Sequence, residues 1–174
     1  MKRRVRLSIL LFFCVILAGC GKREYRDGME NLENGQYEEA IEQFEAAIEQ
    51  EYSVGDSYRG IGIAKWETGD YEGAVSAFET ALENGSAEDG TVYHLLGSCK
   101  MQMGDWLSAI EYYEKGISQG NCTDDAEKEM KFNIIAAYEN LKDWDNAKAK
   151  LAEYVSEYPE DAQAAKEAEF LETR

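Results

Sequence analysis

A chain of 174 residues, 44% hydrophobic and 30% charged with a single Pro, can bury one folded unit but is short for two ordinary domains. Its 35 Asp and Glu outweigh 18 Lys and Arg, giving a formal net charge of −17. Binding nucleic acid requires Lys and Arg to neutralise phosphates, so no nucleic-acid partner is expected.

In chain order, Lys2-Arg3-Arg4-Val5-Arg6 comes first, then an apolar run from Leu7 to Leu17, then Ala18-Gly19-Cys20. A basic start, a short apolar core and small residues before a break are the marks of a secretory signal. The run ends at Gly21-Lys22-Arg23, too short to cross ~30 Å of hydrocarbon comfortably. Leu17-Ala18-Gly19-Cys20 resembles the lipobox of bacterial lipoproteins. The resemblance implies removal of residues 1–19, a diacylglycerol on the Cys20 sulfur and no other cofactor. It also implies an exported chain held at the cell membrane, on its extracytoplasmic face or in the periplasm. An uncleaved anchor or an ordinary secretory signal is the alternative. Four basic residues and no acidic one precede Cys20, so cleavage leaves 14 basic against 35 acidic residues, a net charge of −21. Residues 20–23 read as a tether, with Gly21 to Arg23 spanning at most roughly 10 Å. Lys22, Arg23 and Arg26 are placed to offset repulsion between an acidic protein and anionic headgroups.

The rest of the chain repeats itself. Gly35-Gln36-Tyr37 precedes Ala40-Ile41, Phe44 and Ala47-Ile48; Gly69-Asp70-Tyr71 precedes Ala74-Val75, Phe78 and Ala81-Leu82; Gly104-Asp105-Trp106 precedes Ala109-Ile110, Tyr113 and Gly116-Ile117. A weaker copy runs Lys142-Asp143-Trp144, Ala147, Leu151 and Tyr154-Val155. Steps of three and four put the apolar residues on one helical face, and Gly ahead of each string permits a left-handed turn between two helices. A second helical pattern precedes each turn: Tyr58, Ile61-Gly62 and Ala64; Tyr93, Leu96-Gly97 and Cys99; Phe132, Ile134-Ile135 and Ala137. In the first copy it is thin, with Tyr25, Gly28, Met29 and Leu32 interrupted by Glu24 and Asp27, which suggests a frayed or membrane-covered helix.

These units resemble tetratricopeptide repeats on the strength of Tyr58-x2-Ile61-Gly62 with Ala74-x3-Phe78, and Tyr93-x2-Leu96-Gly97 with Ala109-x3-Tyr113. The only Pro, Pro159, closes the fourth copy; the first three lack it. The resemblance implies an all-α fold, an α-solenoid of four repeats over about 24–54, 55–88, 89–123 and 124–158, with a capping helix in 159–174. Ala162, Ala165 and Phe170 are expected to form the buried side of that helix.

No catalytic signature accompanies the single His94, so no enzymatic activity is expected, and no metal site of usual spacing is found. Cys99 reads as a core residue; a bridge from it to Cys122 is conceivable outside the cytoplasm. In this family the first helix of each pair lines a concave groove, which assigns to it Tyr25, Met29, Arg59, Ile63, Trp66, His94, Ser98, Met101 and Phe132. Trp66 and Met101 suit either a ligand or packing between repeats. The expected partner is an apolar or mildly basic protein or peptide segment, and the expected role is a membrane-anchored scaffold or assembly factor in the cell envelope. The alternative is a lipid-anchored carrier that transiently holds exported polypeptides.

Overall fold

The computed structural model describes residues 21–174; the signal segment and Cys20 lie outside the described residues. Every regular element among the described residues is an α-helix. In order these are α1 (21–33), α2 (Tyr37–Glu49), α3 (Val54–Glu67), α4 (Tyr71–Glu83), α5 (Gly90–Gln102), α6 (Trp106–Gln119), α7 (Asp124–Asn140), α8 (Trp144–Glu157) and α9 (Ala162–Leu171). The all-α repeat architecture expected from the sequence is thus the one observed. None of these helices is long and apolar enough to cross a membrane.

Contacts do not form one unit, as length alone suggested, but two, Met1–Ala87 and Glu88–Arg174. Helix pairs pack on their sequence neighbours, so a boundary can fall between repeats without a linker. In the first unit α3 packs against α2 and α4; in the second α6 lies against α5 and α7, and α8 against α7 and α9.

The repeated string explains each pair. Ala40, Phe44 and Ala47 of α2 are fully buried, as are Ala74, Phe78 and Ala81 of α4. Their counterparts Ala109, Tyr113 and Gly116 of α6, and Ala147, Leu151 and Tyr154 of α8, are buried too. The facing helix leaves room for the large member of each triplet. A Cβ on Gly28 would meet the Phe44 ring at 2.9 Å, one on Gly62 the Phe78 ring at 2.6 Å, and one on Gly97 the Tyr113 ring at 2.5 Å. At the same register α7 carries Ile135, fully buried in the cluster that holds the shorter Leu151.

The turns also follow the string. Gly35, Gly69 and Gly104 have φ of +73°, +82° and +73°, and Lys142 takes their place with φ +58°. Asp70, Asp105 and Asp143 then cap α4, α6 and α8 by accepting from the backbone N–H three residues on. Asn84 and Gly85 end α4, and Gly120 and Asn121 turn the chain before Thr123 caps α7, as their composition suggests.

Three details differ from expectation. Residues 21–23, read as a tether, already belong to α1. That helix is regular despite Glu24 and Asp27, because Gly28, Tyr25 and Met29 still deliver an edge to Phe44. The cap α9 turns Ala164, Ala168 and Leu171 inward, while Ala162, Ala165 and Phe170 are exposed. Asp161 sets that rotation: its carboxylate accepts from the N–H groups of Gln163 and Ala164, from the Tyr154 hydroxyl at 2.9 Å, and pairs with Lys128 at 2.7 Å.

Candidate functional site

In the first unit the assigned groove residues sit on α1 and α3. Tyr25 is wedged between Phe44 and Tyr52, with ring centroids 5.8 and 6.0 Å away, and Met29 packs on the core around Phe44 and Ile61. Both still line an open cavity of about 400 Å³ with Lys22, Arg23, Arg26 and Tyr52. Arg59, Ile63 and Trp66, on one stripe of α3, are half-buried, and the Trp66 indole N–H is buried without a hydrogen-bond partner.

In the second unit His94 and Ser98 of α5 meet residues of α6 and α7. Ser98 Oγ lies 3.3 Å from the Tyr113 hydroxyl, and Asn133 Nδ2 donates to that hydroxyl at 3.3 Å. His94 stacks obliquely on the Tyr113 ring, centroids 6.1 Å apart. Its Nε2 approaches Glu129 Oε1 to 3.5 Å yet makes no hydrogen bond. Burial pushes the Tyr113 hydroxyl up to about 12, against the pull of Ser98 and Asn133, so it stays a neutral donor and acceptor. Met101 packs on the same cluster, beside Tyr113 and Ile134. Phe132 does not join this face; it lies edge-on to Tyr154, 5.4 Å away, in the core shared by α7, α8 and α9. Tyr113, Glu129 and Asn133, which the sequence did not assign to the groove, lie beside His94 and Ser98. The signal for Tyr113 was available, since the preceding two copies hold Phe44 and Phe78 at its place.

Cys99 and Cys122 are free thiols; Cys99 is fully buried and desolvation pushes it up to about 11, which makes it inert. No group of three or more His, Cys, Asp or Glu among the described residues is arranged to hold a metal ion.

Tetratricopeptide repeat models match residues 25–89, 90–119 and 131–161, which together span most of the chain. It is a tetratricopeptide repeat protein. No curated protein matches it significantly. Among solved structures it is similar to YrrB, described as a TPR protein with an unusual peptide-binding site, at 21% identity and TM-score 0.69 over 81% of this chain and 70% of that one. It is similar to MamA from Desulfovibrio magneticus RS-1 at 18% identity and TM-score 0.75, covering 88% and 84% of the two chains. PilF of Pseudomonas aeruginosa aligns at 17% identity and TM-score 0.64, over 86% of this chain and 66% of that one. At these identities the likeness is one of fold.

The tetratricopeptide repeats also create matched cavities on their second helices, one in each unit. Glu45, Ile48 and Glu49 of α2 face Ser76, Ala77 and Thr80 of α4 across Tyr58 and Ile61, around about 450 Å³. Glu114, Ile117 and Ser118 of α6 face Lys150, Glu153 and Glu157 of α8 across Lys131 and Ile134, around about 360 Å³. The second is closed by charge pairs: Lys131 to Glu157 at 2.7 Å and Lys150 to Glu114 at 3.7 Å. Burial opposes the charge on Lys131, but Glu127 and Glu157 outweigh it and raise its pKa.

Proposed function

We propose that this tetratricopeptide repeat protein is a membrane-anchored lipoprotein that holds a protein segment as a scaffold or assembly factor in the cell envelope. The observation that carries the binding half is the group around Tyr113. Ser98, His94 and Asn133 are half-buried on neighbouring helices, and an extended backbone needs such paired donors and acceptors between apolar contacts. Met101 packs on the same cluster and offers an adaptable apolar contact. The YrrB likeness supports the reading at the level of fold, since that protein is described by a peptide-binding site. The anchoring half is supported by the signal-like segment and Cys20 in the sequence. Catalysis is not part of this reading.

The test has two arms. Mass spectrometry of the membrane-extracted protein should find an acylated Cys20 at its amino terminus; an unmodified terminus elsewhere removes the anchor. A photo-crosslinker at Ser98 should trap a discrete partner that Asn133→Ala with Met101→Ala abolishes while the helical signal is kept. Unchanged capture by that double variant refutes the assignment. Broad, fast-exchanging capture of many unfolded chains supports a carrier instead.

A further inference from the structure

The cavity beside α1 differs from the others in its lining. The cavities between second helices mix both signs, Lys65 with Glu45 and Glu49, and Lys131 and Lys150 with Glu114, Glu153 and Glu157; a fourth, of about 420 Å³ between α8 and α9, has Lys148 with Glu172. The cavity beside α1 holds Lys22, Arg23 and Arg26 around Tyr25, Met29 and Tyr52, and no carboxylate lines it. In a chain of net charge −17 this concentration of cations requires an explanation. Asp27 answers part of it, pairing with Arg23 Nε at 3.4 Å and Arg26 Nη2 at 2.8 Å. Glu30 also acts on Arg26, and Asp56 and Arg59 both act on Tyr25, so the cations are partly offset from outside the cavity while its own lining carries no carboxylate. Both guanidinium groups are solvent-facing, with side chains 72% and 71% exposed, so Asp27 aligns them without burying them. The start of α1 is held close to the floor of the cavity, since a Cβ on Gly21 would meet Tyr52 Cβ at 2.6 Å.

Position selects the occupant. The undescribed part of the chain ends at Cys20, one peptide bond from Gly21, and adjacent Cα atoms are about 3.8 Å apart. If Cys20 bears the acyl chains, as proposed above, headgroups necessarily lie within reach of Lys22, Arg23 and Arg26. Two tyrosines that pair an apolar ring with a polar tip suit the water–lipid boundary. We propose that this cavity seats the phosphate of an anionic phospholipid headgroup, so that the first repeat rests on the bilayer instead of hanging from a free tether. The inference rests on the lipoprotein reading for its location, and on the cavity for its chemistry.

The experiment uses the lipidated protein in vesicles of phosphatidylcholine alone and of phosphatidylcholine with 30% phosphatidylglycerol, read by amide hydrogen exchange. Amides of residues 21–33 should exchange roughly tenfold more slowly in the anionic vesicles, because basic residues near such a surface are attracted to it. The difference should vanish at high salt and in a Lys22→Gln, Arg23→Gln, Arg26→Gln variant, whose α3 to α9 protection reports that it still folds. Equal exchange in both vesicles overturns the proposal, as does protection that survives the triple variant. Equal protection by inorganic phosphate or by an acidic peptide in solution also overturns it, in favour of a free-anion or protein site. Flotation separates the two readings. A protein that fails to float with phosphatidylcholine alone lacks the anchor, whereas one that floats with both vesicle types and shows no difference in exchange lacks only the headgroup site.

Discussion

In the first unit the large residue at the centre of each pair is Phe44 or Phe78, fully buried against glycine of the facing helix. In the second unit the same places hold Tyr113, still against a glycine, and Leu151, in one cluster with Ile135. One hydroxyl separates a dry pair from a pair with a polar outlet. Tyr113 cannot bury its oxygen unpaired, so Ser98 and Asn133 are drawn to it from α5 and α7. The repeat that carries a polar cluster on its first helices is therefore the one whose core aromatic required it. Folding and candidate recognition share an atom in the second unit and not in the first.

Substitutions at the central position should break this contrast most visibly. Phe78→Ala removes a fully buried ring and should cost about 3–5 kcal/mol in urea unfolding. Leu151→Ala, at the equivalent place in the last pair, should cost less, about 2–4 kcal/mol. An equal loss at the two positions would mean that the glycine-backed aromatic has no special weight. Gly97→Val tests the other half of the fit: its Cβ would lie 2.5 Å from the Tyr113 ring, and overpacking of this kind costs about 1–3 kcal/mol. Tyr113→Phe makes the second unit resemble the first. It should cost about 1 kcal/mol, because Ser98 and Asn133 are only half-buried and can turn to water. Its larger effect should be on capture through Ser98, and retained capture would confine Tyr113 to a packing role.

Much of this was legible in the sequence because the same physics is written four times. Turn glycines, capping aspartates and the small–large–small triplet recur at helical spacing, and each predicted pair is present. What was not legible depends on neighbours that periodicity does not encode. Phe132 occupies a groove register but is half-buried, its ring edge-on to Tyr154 in the core that the cap shares. The rotation of α9 is set by Asp161 reaching Tyr154 and Lys128, contacts made across helices, so its buried residues were misjudged by about half a turn. The polar cluster was half-visible: His94 and Ser98 share a stripe of α5, whereas Asn133 and Glu129 belong to another repeat and enter only when α7 is placed beside it.

The fourth copy also departs at its turn, where Lys142 holds the left-handed conformation that Gly35, Gly69 and Gly104 adopt in the others. A side chain there costs backbone energy that glycine avoids. Lys142→Gly should therefore stabilise by about 0.5–1 kcal/mol despite glycine's greater freedom when unfolded, and thermal melting checks it. Loss of stability would mean that the lysine makes a compensating interaction.

The smallest effect concerns pH. Burial, and then the neighbouring Glu167 of α9, push the Glu139 carboxyl of α7 up to about 7. Between about 4.5 and about 7 the folded chain keeps a proton that the unfolded chain has released, so this pair makes stability fall as pH rises through that window. Asp161 acts in the opposite sense. Lys128, the N–H of Gln163 and the Tyr154 hydroxyl hold its carboxyl well below the usual range, so its contribution is present at neutral pH and is lost as pH falls below about 4. The junction of the cap with the last pair should be most stable near pH 4–5. Glu139→Gln should raise the melting temperature at pH 7.5 by a degree or two and leave it unchanged at pH 4.5. It should also flatten the slope between those values, while the loss below about pH 4 remains because Asp161 is untouched. An unaltered slope in Glu139→Gln would show that the Glu139 carboxyl does not hold a proton in this window.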